Sequence, residues 1–240
     1  MIRAGISAIY GIPSGIIYGE PTSCCLCGRR IPVGNGICEK CREFLKLQMA
    51  NTCKVCGIPV PPPFELCDTC RKNLYYFDAC RSAGLYAGLL KNAIVRMKYQ
   101  GERWRSRPLG GLLSEVMSFP DRVDMVVPIP LEPSSMERRG YNQAKDLASE
   151  VSSKTKLPMF DILIRERKIG RQSKLNRVNR WKNLKGTMVV RSGYQLLDAT
   201  IVLVDDVTTT GATLDEGARA LKEAGAQKVF CLTLARTMNC

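Results

Sequence analysis

Four Cys-x-x-Cys pairs stand close together near the start of the chain: Cys24/Cys27, Cys38/Cys41, Cys53/Cys56 and Cys67/Cys70. Each cysteine of the first two pairs recurs 29 residues later in the last two, so one structural unit is repeated. A glycine follows the second cysteine of each repeat, Gly28 and Gly57, and an Ile-Pro step comes soon after, Ile31-Pro32 and Ile58-Pro59. Two thiolates on such a turn, with backbone N–H groups aimed at the sulfurs, make half of a tetrahedral zinc site. Four pairs make two sites. They can be sequential (Cys24, Cys27, Cys38, Cys41 and Cys53, Cys56, Cys67, Cys70) or crossed between repeats. Either way all four positions are filled by protein, so the two Zn2+ ions are structural rather than catalytic. Cys25 lies one position off register and reads as a spare, while Cys80, Cys231 and Cys240 read as buried or terminal thiols. The chain has no histidine, which removes imidazole general bases, Ser-His-Asp triads and every zinc site needing a His ligand.

A second stretch carries different chemistry: Ile201-Val202-Leu203-Val204-Asp205-Asp206-Val207-Thr208-Thr209-Thr210-Gly211-Ala212-Thr213. Four apolar residues form a strand, two carboxylates stand at its tip, and a Thr/Gly turn opens a helix. Unpaired N–H groups and the positive dipole end make a helix start an anion cradle. Threonine hydroxyls add donors, and Gly211 lets the backbone close around the anion. Asp205 and Asp206 cannot attract phosphate; they can accept hydrogen bonds from vicinal hydroxyls or help hold Mg2+. A phosphate cradle beside a diol reader describes a ribose 5-phosphate. The plainer alternative is a strand–helix unit whose Asp and Thr only cap the helix.

The elements that must position these residues follow from periodicity. Around Asp78 cysteine density falls and strands begin to alternate with helices. Strands are expected at Cys80–Ala87, Val123–Val127 (stopped by Pro128 and Pro130), Ile201–Val204 and Lys228–Leu234. Helices are expected from Leu89 to Met97, with a stop at Gly101, and over Leu109–Met117, Gln143–Val151 and Ala212–Ala224. That order predicts an α/β fold with a mainly parallel sheet flanked by helices, ligands binding at the carboxyl ends of the strands. The expected organisation is a packing segment over 1–22, a small double zinc ribbon over 23–76 and an α/β domain over 77–240. About 50 residues bury too little apolar surface to fold alone, and metal substitutes for the missing core.

The thirteen residues from Ile201 resemble the signature of type I phosphoribosyltransferases, which bind phosphoribosyl pyrophosphate (PRPP). Further stretches are similar to the ComF family, whose ComFC-type members act in bacterial competence for DNA uptake. They are Val127-Pro128-Ile129-Pro130-Leu131 with Arg139-Gly140-Tyr141-Asn142-Gln143, then Gln172-x-x-Leu175 with Arg180-x-x-Asn183-x-x-Gly186, and Lys98-Tyr99-x-Gly101. The resemblance implies a type I phosphoribosyltransferase-like domain preceded by a four-cysteine zinc-ribbon domain. It implies that Thr208, Thr209, Thr210, Gly211, Ala212 and Thr213 cradle the 5′-phosphate and that Asp205 and Asp206 read the ribose. The loop after the Val123–Val127 strand would face pyrophosphate, with Arg139, Asn142 and Gln143 matching that motif and Mg2+ accompanying the PRPP. Ser134 and Ser135 stand where the family carries a basic residue, with Arg138 nearby, and Arg171 replaces its proline.

The formal charge of +14 points to a polyanionic partner. Two Zn2+ ions on eight thiolates lower it to about +10. Much of the excess lies between Arg165 and Arg191, where ten Lys and Arg face one acid, Glu166, and Trp181 offers a ring for stacking. Arg171, Lys174, Arg177, Arg180 and Trp181 are the candidate nucleic-acid contacts, with backbone phosphates as the targets of the basic groups. A lid over the pyrophosphate and a merely solvated face are the competing readings. The partners implied are PRPP or a related phosphoribosyl ligand, single-stranded DNA, and other competence or helicase proteins. The uncharged run from Ala4 to Gly19 is broken by Pro13 and four glycines, so neither a membrane span nor a signal peptide is expected. The expected compartment is the cytoplasm, where cysteine pairs bind metal rather than each other. Two functions compete: a PRPP-binding, single-stranded-DNA-handling protein, and a working phosphoribosyltransferase with an unidentified acceptor.

Overall fold

The computed structural model describes residues 22–32, 36–166 and 184–238. Arg171, Lys174, Arg177, Arg180 and Trp181 lie outside the described residues, as does Cys240.

The 29-residue repeat is a repeat of backbone geometry. In each copy the first cysteine donates its N–H to the residue five later (Cys24 to Arg29 and Cys53 to Ile58, both 2.7 Å). The glycine N–H closes the turn (Gly28 to Cys24 and Gly57 to Cys53, both 2.9 Å). A short helix then carries the fourth ligand, α1 (Glu39–Gln48) in the first copy and α2 (Asp68–Lys72) in the second. Both helices are N-capped by a cysteine, Cys38 and Cys67, in extended conformation.

The α/β portion begins with β1 (Ala79–Leu85), followed by α3 (Gly88–Tyr99), a short 3-10 turn (Arg103–Arg105) and α4 (Ser106–Val116). Then come β2 (Met125–Pro128), α5 (Pro133–Arg139), α6 (Gln143–Thr155), β3 (Leu163–Arg165), β4 (Met188–Val190), β5 (Thr200–Thr208), α7 (Ala212–Glu223) and β6 (Lys228–Arg236). The main sheet has the order β1-β6-β5-β2, and every pair in it is parallel. β3 and β4 form a separate antiparallel pair that strand–helix alternation did not announce. Three residues in each strand are too few for a readable period.

The central strands are apolar on both faces, which is why they read as runs rather than alternations. Val202 and Val204 join a cluster with Phe230, Leu232, Leu113 and Leu147 on the face covered by α3, α4 and α6. Ile201 and Leu203 join Val229, Cys231, Leu214 and Leu221 on the α7 face. Burying a residue such as Leu214 or Leu221 contributes about 1.5–3 kcal/mol. The two zinc repeats straddle the β1 edge. Cys24, Cys25, Cys41 and Leu45 of the first belong to the α3/α4/α6 side, while Val55 of the second packs on the α7 side. Arg105 donates to the Cys25 carbonyl, and Arg42 pairs with Glu115 across that junction. Cys25 is therefore a packing residue, as are Cys80 and Cys231, side by side and fully buried on β1 and β6. Burial pushes the Cys80 thiol up to about 11.

Of the strand ends that differ from expectation, two bear on the site. β2 includes Pro128, tolerated because it lies past the single bridge that Val126 makes with Met159 on the outer side of β2, where no further ladder bond among the described residues needs an N–H. β5 continues past Val204 to Thr208, because β6 pairs with it as far as Thr208 opposite Arg236. Asp205 and Asp206 consequently lie inside the strand.

Candidate functional site

Both cysteine sets close as sequential clusters. In each, the four sulfurs lie within 4.8 Å of one another: Cys24, Cys27, Cys38 and Cys41, then Cys53, Cys56, Cys67 and Cys70. Sulfurs on a tetrahedron 2.3 Å from zinc stand about 3.8 Å apart. Cys27 Sγ to Cys38 Sγ and Cys56 Sγ to Cys67 Sγ are both 3.7 Å. The Cys70 N–H points at Cys67 Sγ, 3.4 Å away, the kind of donor that stabilises a bound thiolate. The donor set and spacing fit Zn2+ in both clusters, and the crossed arrangement is excluded.

The second site is built where β5 meets α7. Strand pairing carries the chain rigidly to Thr208; Thr209 and Thr210 turn it, and Gly211 enters the helix at φ 83°, a conformation that side chains resist. The Ala212 N–H reaches Thr210 Oγ1 at 3.3 Å and the Asp215 N–H reaches the Gly211 carbonyl at 2.8 Å. A cavity of about 60 Å³ opens there, lined by Asp205, Thr208, Thr209, Thr210, Gly211 and Thr213 among others. Thr208 Oγ1 is buried against it without a hydrogen-bond partner among the described residues. Buried hydroxyls are nearly always bonded, so this one is poised for an acceptor that enters the cavity.

Asp205 and Asp206 alternate on β5. Asp206 turns toward α3, where Lys98 Nζ donates to its carboxylate at 2.7 Å. Burial works against the charge on Lys98, but Asp206 outweighs it and holds the ammonium pKa above its ordinary value. Asp205 Oδ1 accepts the Asp206 N–H at 2.8 Å. Burial pushes the Asp205 carboxyl up to about 7, and the charge of Asp206 adds to the shift against the pull of Lys98 and Arg165.

The loop leaving β2 is held by the N-cap of α6 and by β3. Asn142 caps α6 through Oδ1, which accepts the Ala144 N–H at 3.0 Å, and its Nδ2 donates to the Ile129 carbonyl at 2.9 Å. Arg165 Nε donates to the Pro130 carbonyl at 3.0 Å. Gln143 is buried and accepts from Arg139 at 2.9 Å, while the same guanidinium donates to Tyr99 Oη at 2.8 Å. Arg139 Nε is buried with no partner among the described residues. The structure thus gathers Asp205, Asp206 and the Thr208–Thr213 turn at the strand ends. Asn142 and Gln143 it places behind Arg139 and the β2 loop. Two residues to which the sequence assigned no role stand beside the carboxylates. Lys98 lies in a family-like Lys-Tyr-x-Gly helix end, which was its only signal, and Arg165 was one cation in a basic run.

The family profile described as a phosphoribosyl transferase domain matches residues 115–240, and one described as a double zinc ribbon domain matches 16–71. Competence protein F of Haemophilus influenzae is 32% identical over 161 residues, 64% of this chain and 70% of that protein. The chain belongs to the ComF family. Other curated members align similarly. Competence protein ComFC of Bacillus subtilis is 31% identical over 65% of this chain and 64% of its own length. The ComFC of Streptococcus pneumoniae is 30% identical over 65% and 67%. These matches span about two thirds of each relative. Among solved structures, adenine phosphoribosyltransferase from Leishmania tarentolae matches this ComF chain at 16% identity and a TM-score of 0.35, covering 55% of it and 56% of that chain. Glutamine PRPP amidotransferase from B. subtilis matches at 22% and 0.37, covering 52% and 25%. The main sheet and its helices, with the double zinc ribbon before them, are the architecture expected from the resemblance. Among the described residues no helix is long and apolar enough to cross a membrane.

Proposed function

We propose that this ComF-family chain binds PRPP, or a closely related phosphoribosyl ligand, at the β5–α7 turn and handles single-stranded DNA in natural transformation. The observation that carries the first half is the cavity at the turn, with Asp205 in its lining and a Thr208 hydroxyl that has no partner among the described residues. A 5′-phosphate fits the N–H and hydroxyl donors of Thr208–Thr213, and the vicinal ribose hydroxyls then face Asp205 and Asp206. Arg139, whose Nε has no partner among the described residues, is the cation offered to the pyrophosphate. Asn142 and Gln143 serve the same end by fixing the β2 loop and the guanidinium. Mg2+ would arrive with the ligand, with Asp205 and Asp206 as its protein carboxylates, and would neutralise pyrophosphate charge.

Support for the DNA half is the naming of the relatives as competence proteins and the basic Arg165–Arg191 run, with Arg171, Lys174, Arg177, Arg180 and Trp181 as contacts. The second reading, a working phosphoribosyltransferase, is favoured by the raised Asp205 carboxyl. A group titrating near neutrality beside the ribose can exchange a proton with an incoming acceptor.

Calorimetric titration with PRPP and Mg2+ tests the site. Wild type should bind, and Asp205→Asn with Asp206→Asn should lose at least tenfold in affinity while keeping the fold. Unchanged affinity in the double variant would remove these carboxylates from the ribose.

A further inference from the structure

The second zinc repeat is joined to the phosphate turn by direct bonds. α2, which carries Cys70, ends at Lys72, and the chain then passes beneath the start of α7. There the Tyr76 N–H donates to Asp215 Oδ1 at 2.5 Å. Asp215 is itself buried, in the first turn of the helix whose N–H groups line the cradle, and its own N–H holds the Gly211 carbonyl. On either side of Tyr76, the rings of Tyr75 and Phe77 stack with centroids 4.7 Å apart. They lie directly under Gly211: a Cβ at that position would stand 3.6 Å from Phe77 and 3.7 Å from Tyr75. A second tie runs through Arg236, which donates to the carbonyl of the zinc ligand Cys56 at 2.7 Å and pairs on β6 with Thr208 of the cradle. Val55 and Tyr75 pack against both the knuckle core and the α7 core. At the corresponding place the first repeat meets α4 on the other face of the sheet, through Arg105 and Arg42.

We infer that Asp215 and Tyr76 are positioning residues that couple the second zinc site to the phosphate cradle, so that metal in that site and ligand in the cradle strengthen each other. The inference rests on the cradle binding PRPP. Its physical basis is short reach: only Asn73 and two residues more separate α2 from Tyr76, so a knuckle held by four thiolates fixes Tyr76 and through it the first turn of α7. When the metal leaves, that segment loses one anchored end, and the N–H groups of the turn lose their common aim. Linkage makes the effect reciprocal: whatever factor the metal adds to ligand affinity, the ligand must add to metal affinity. Among the described residues the first site is attached to the opposite face, and its bonds run to the 3-10 turn and α4 rather than to the cradle.

The experiment follows zinc transfer from the full-length holoprotein to a chromogenic chelator, with and without PRPP and Mg2+, beside calorimetric PRPP binding. In wild type, one of the two zinc ions should leave about fivefold to tenfold more slowly when PRPP is bound, the other at an unchanged rate. Asp215→Ala should retain two zinc ions, bind PRPP about tenfold more weakly and show no slowing. Asp215→Asn keeps an acceptor for the Tyr76 N–H, so it should recover part of both effects, which a loss of fold would not. If wild type binds PRPP but neither zinc is slowed, the coupling is overturned while the site assignment stands. If wild type does not bind PRPP, both fall. Slowing that persists undiminished in Asp215→Ala overturns the role given to that residue.

Discussion

Lys98 Nζ and Asp206 form an ion pair of 2.7 Å between the last turn of α3 and the end of β5, with side chains 14% and 11% exposed. Such a pair is poor evidence of net stability, but removing one partner strands the other charge in a buried setting. Lys98→Met should therefore destabilise the chain by about 2–3 kcal/mol, read from urea unfolding at neutral pH. Asp206→Asn added to Lys98→Met should recover much of the loss, because no bare carboxylate remains. A single variant as stable as wild type would mean that Asp206 is solvated rather than paired.

The raised carboxyl of Asp205 makes a directional pH prediction. Its folded pKa of about 7 lies above the usual aspartate range, so the folded state holds a proton that the unfolded chain has released. The cost of ionising it is absent below about pH 4, grows as pH rises and is complete above about 7. Asp205→Asn mimics the protonated form. It should match wild type near pH 4 and exceed it by about 1–3 kcal/mol at pH 8, visible as a Tm difference that widens with pH and then levels off. A constant difference across that range would place the shift elsewhere.

Two sequential four-thiolate clusters predict two zinc ions per chain in protein purified without chelator, measured by elemental analysis. Cys53→Ser should hold one. Metal binding and knuckle folding are one process, so that variant should also lose protection of the 51–72 backbone in hydrogen exchange. The main sheet, whose strands pair with one another and are buried on both faces, should stay protected. Retention of both ions in the variant would contradict the ligand assignment.

For DNA, the measured quantity is salt dependence. Each phosphate contact to a single strand contributes a slope of about −0.7 in log K against log salt. Replacing Arg171, Lys174 and Arg177 with Ala should reduce the slope by about two if all three touch phosphate. Trp181→Ala should cost about 1–3 kcal/mol and leave the slope unchanged. A triple variant that loses PRPP affinity and keeps its DNA slope would favour the lid, and one that alters neither would return the stretch to a solvated face.

Much of what is written in local spacing was legible in the sequence, although the short helices α1, α2 and α5 were not. The 29-residue period announced two thiolate sites because a knuckle is a short-range object, closed by bonds between Cys53, Gly57 and Ile58. The strand, carboxylates and Thr/Gly turn at Ile201–Thr213 were legible because a helix-start cradle is built from consecutive residues. The parallel sheet followed from strands alternating with helices. Contacts between distant segments were not legible. Sequential ligation was left open, since both arrangements use the same spacing, and the structure decided it by bringing Cys27 to Cys38 and Cys56 to Cys67. Lys98 meets Asp206 across 108 residues, and Tyr76 meets Asp215 across 139. No periodicity encodes such pairs. They exist because α3 and the post-zinc segment pack on opposite faces of β5 and deliver their ends to the same strand tip. Pairing with β6 likewise extended β5 beyond its apolar run, drawing Asp205 and Asp206 into the strand, where burial shifts one of them and Lys98 neutralises the other.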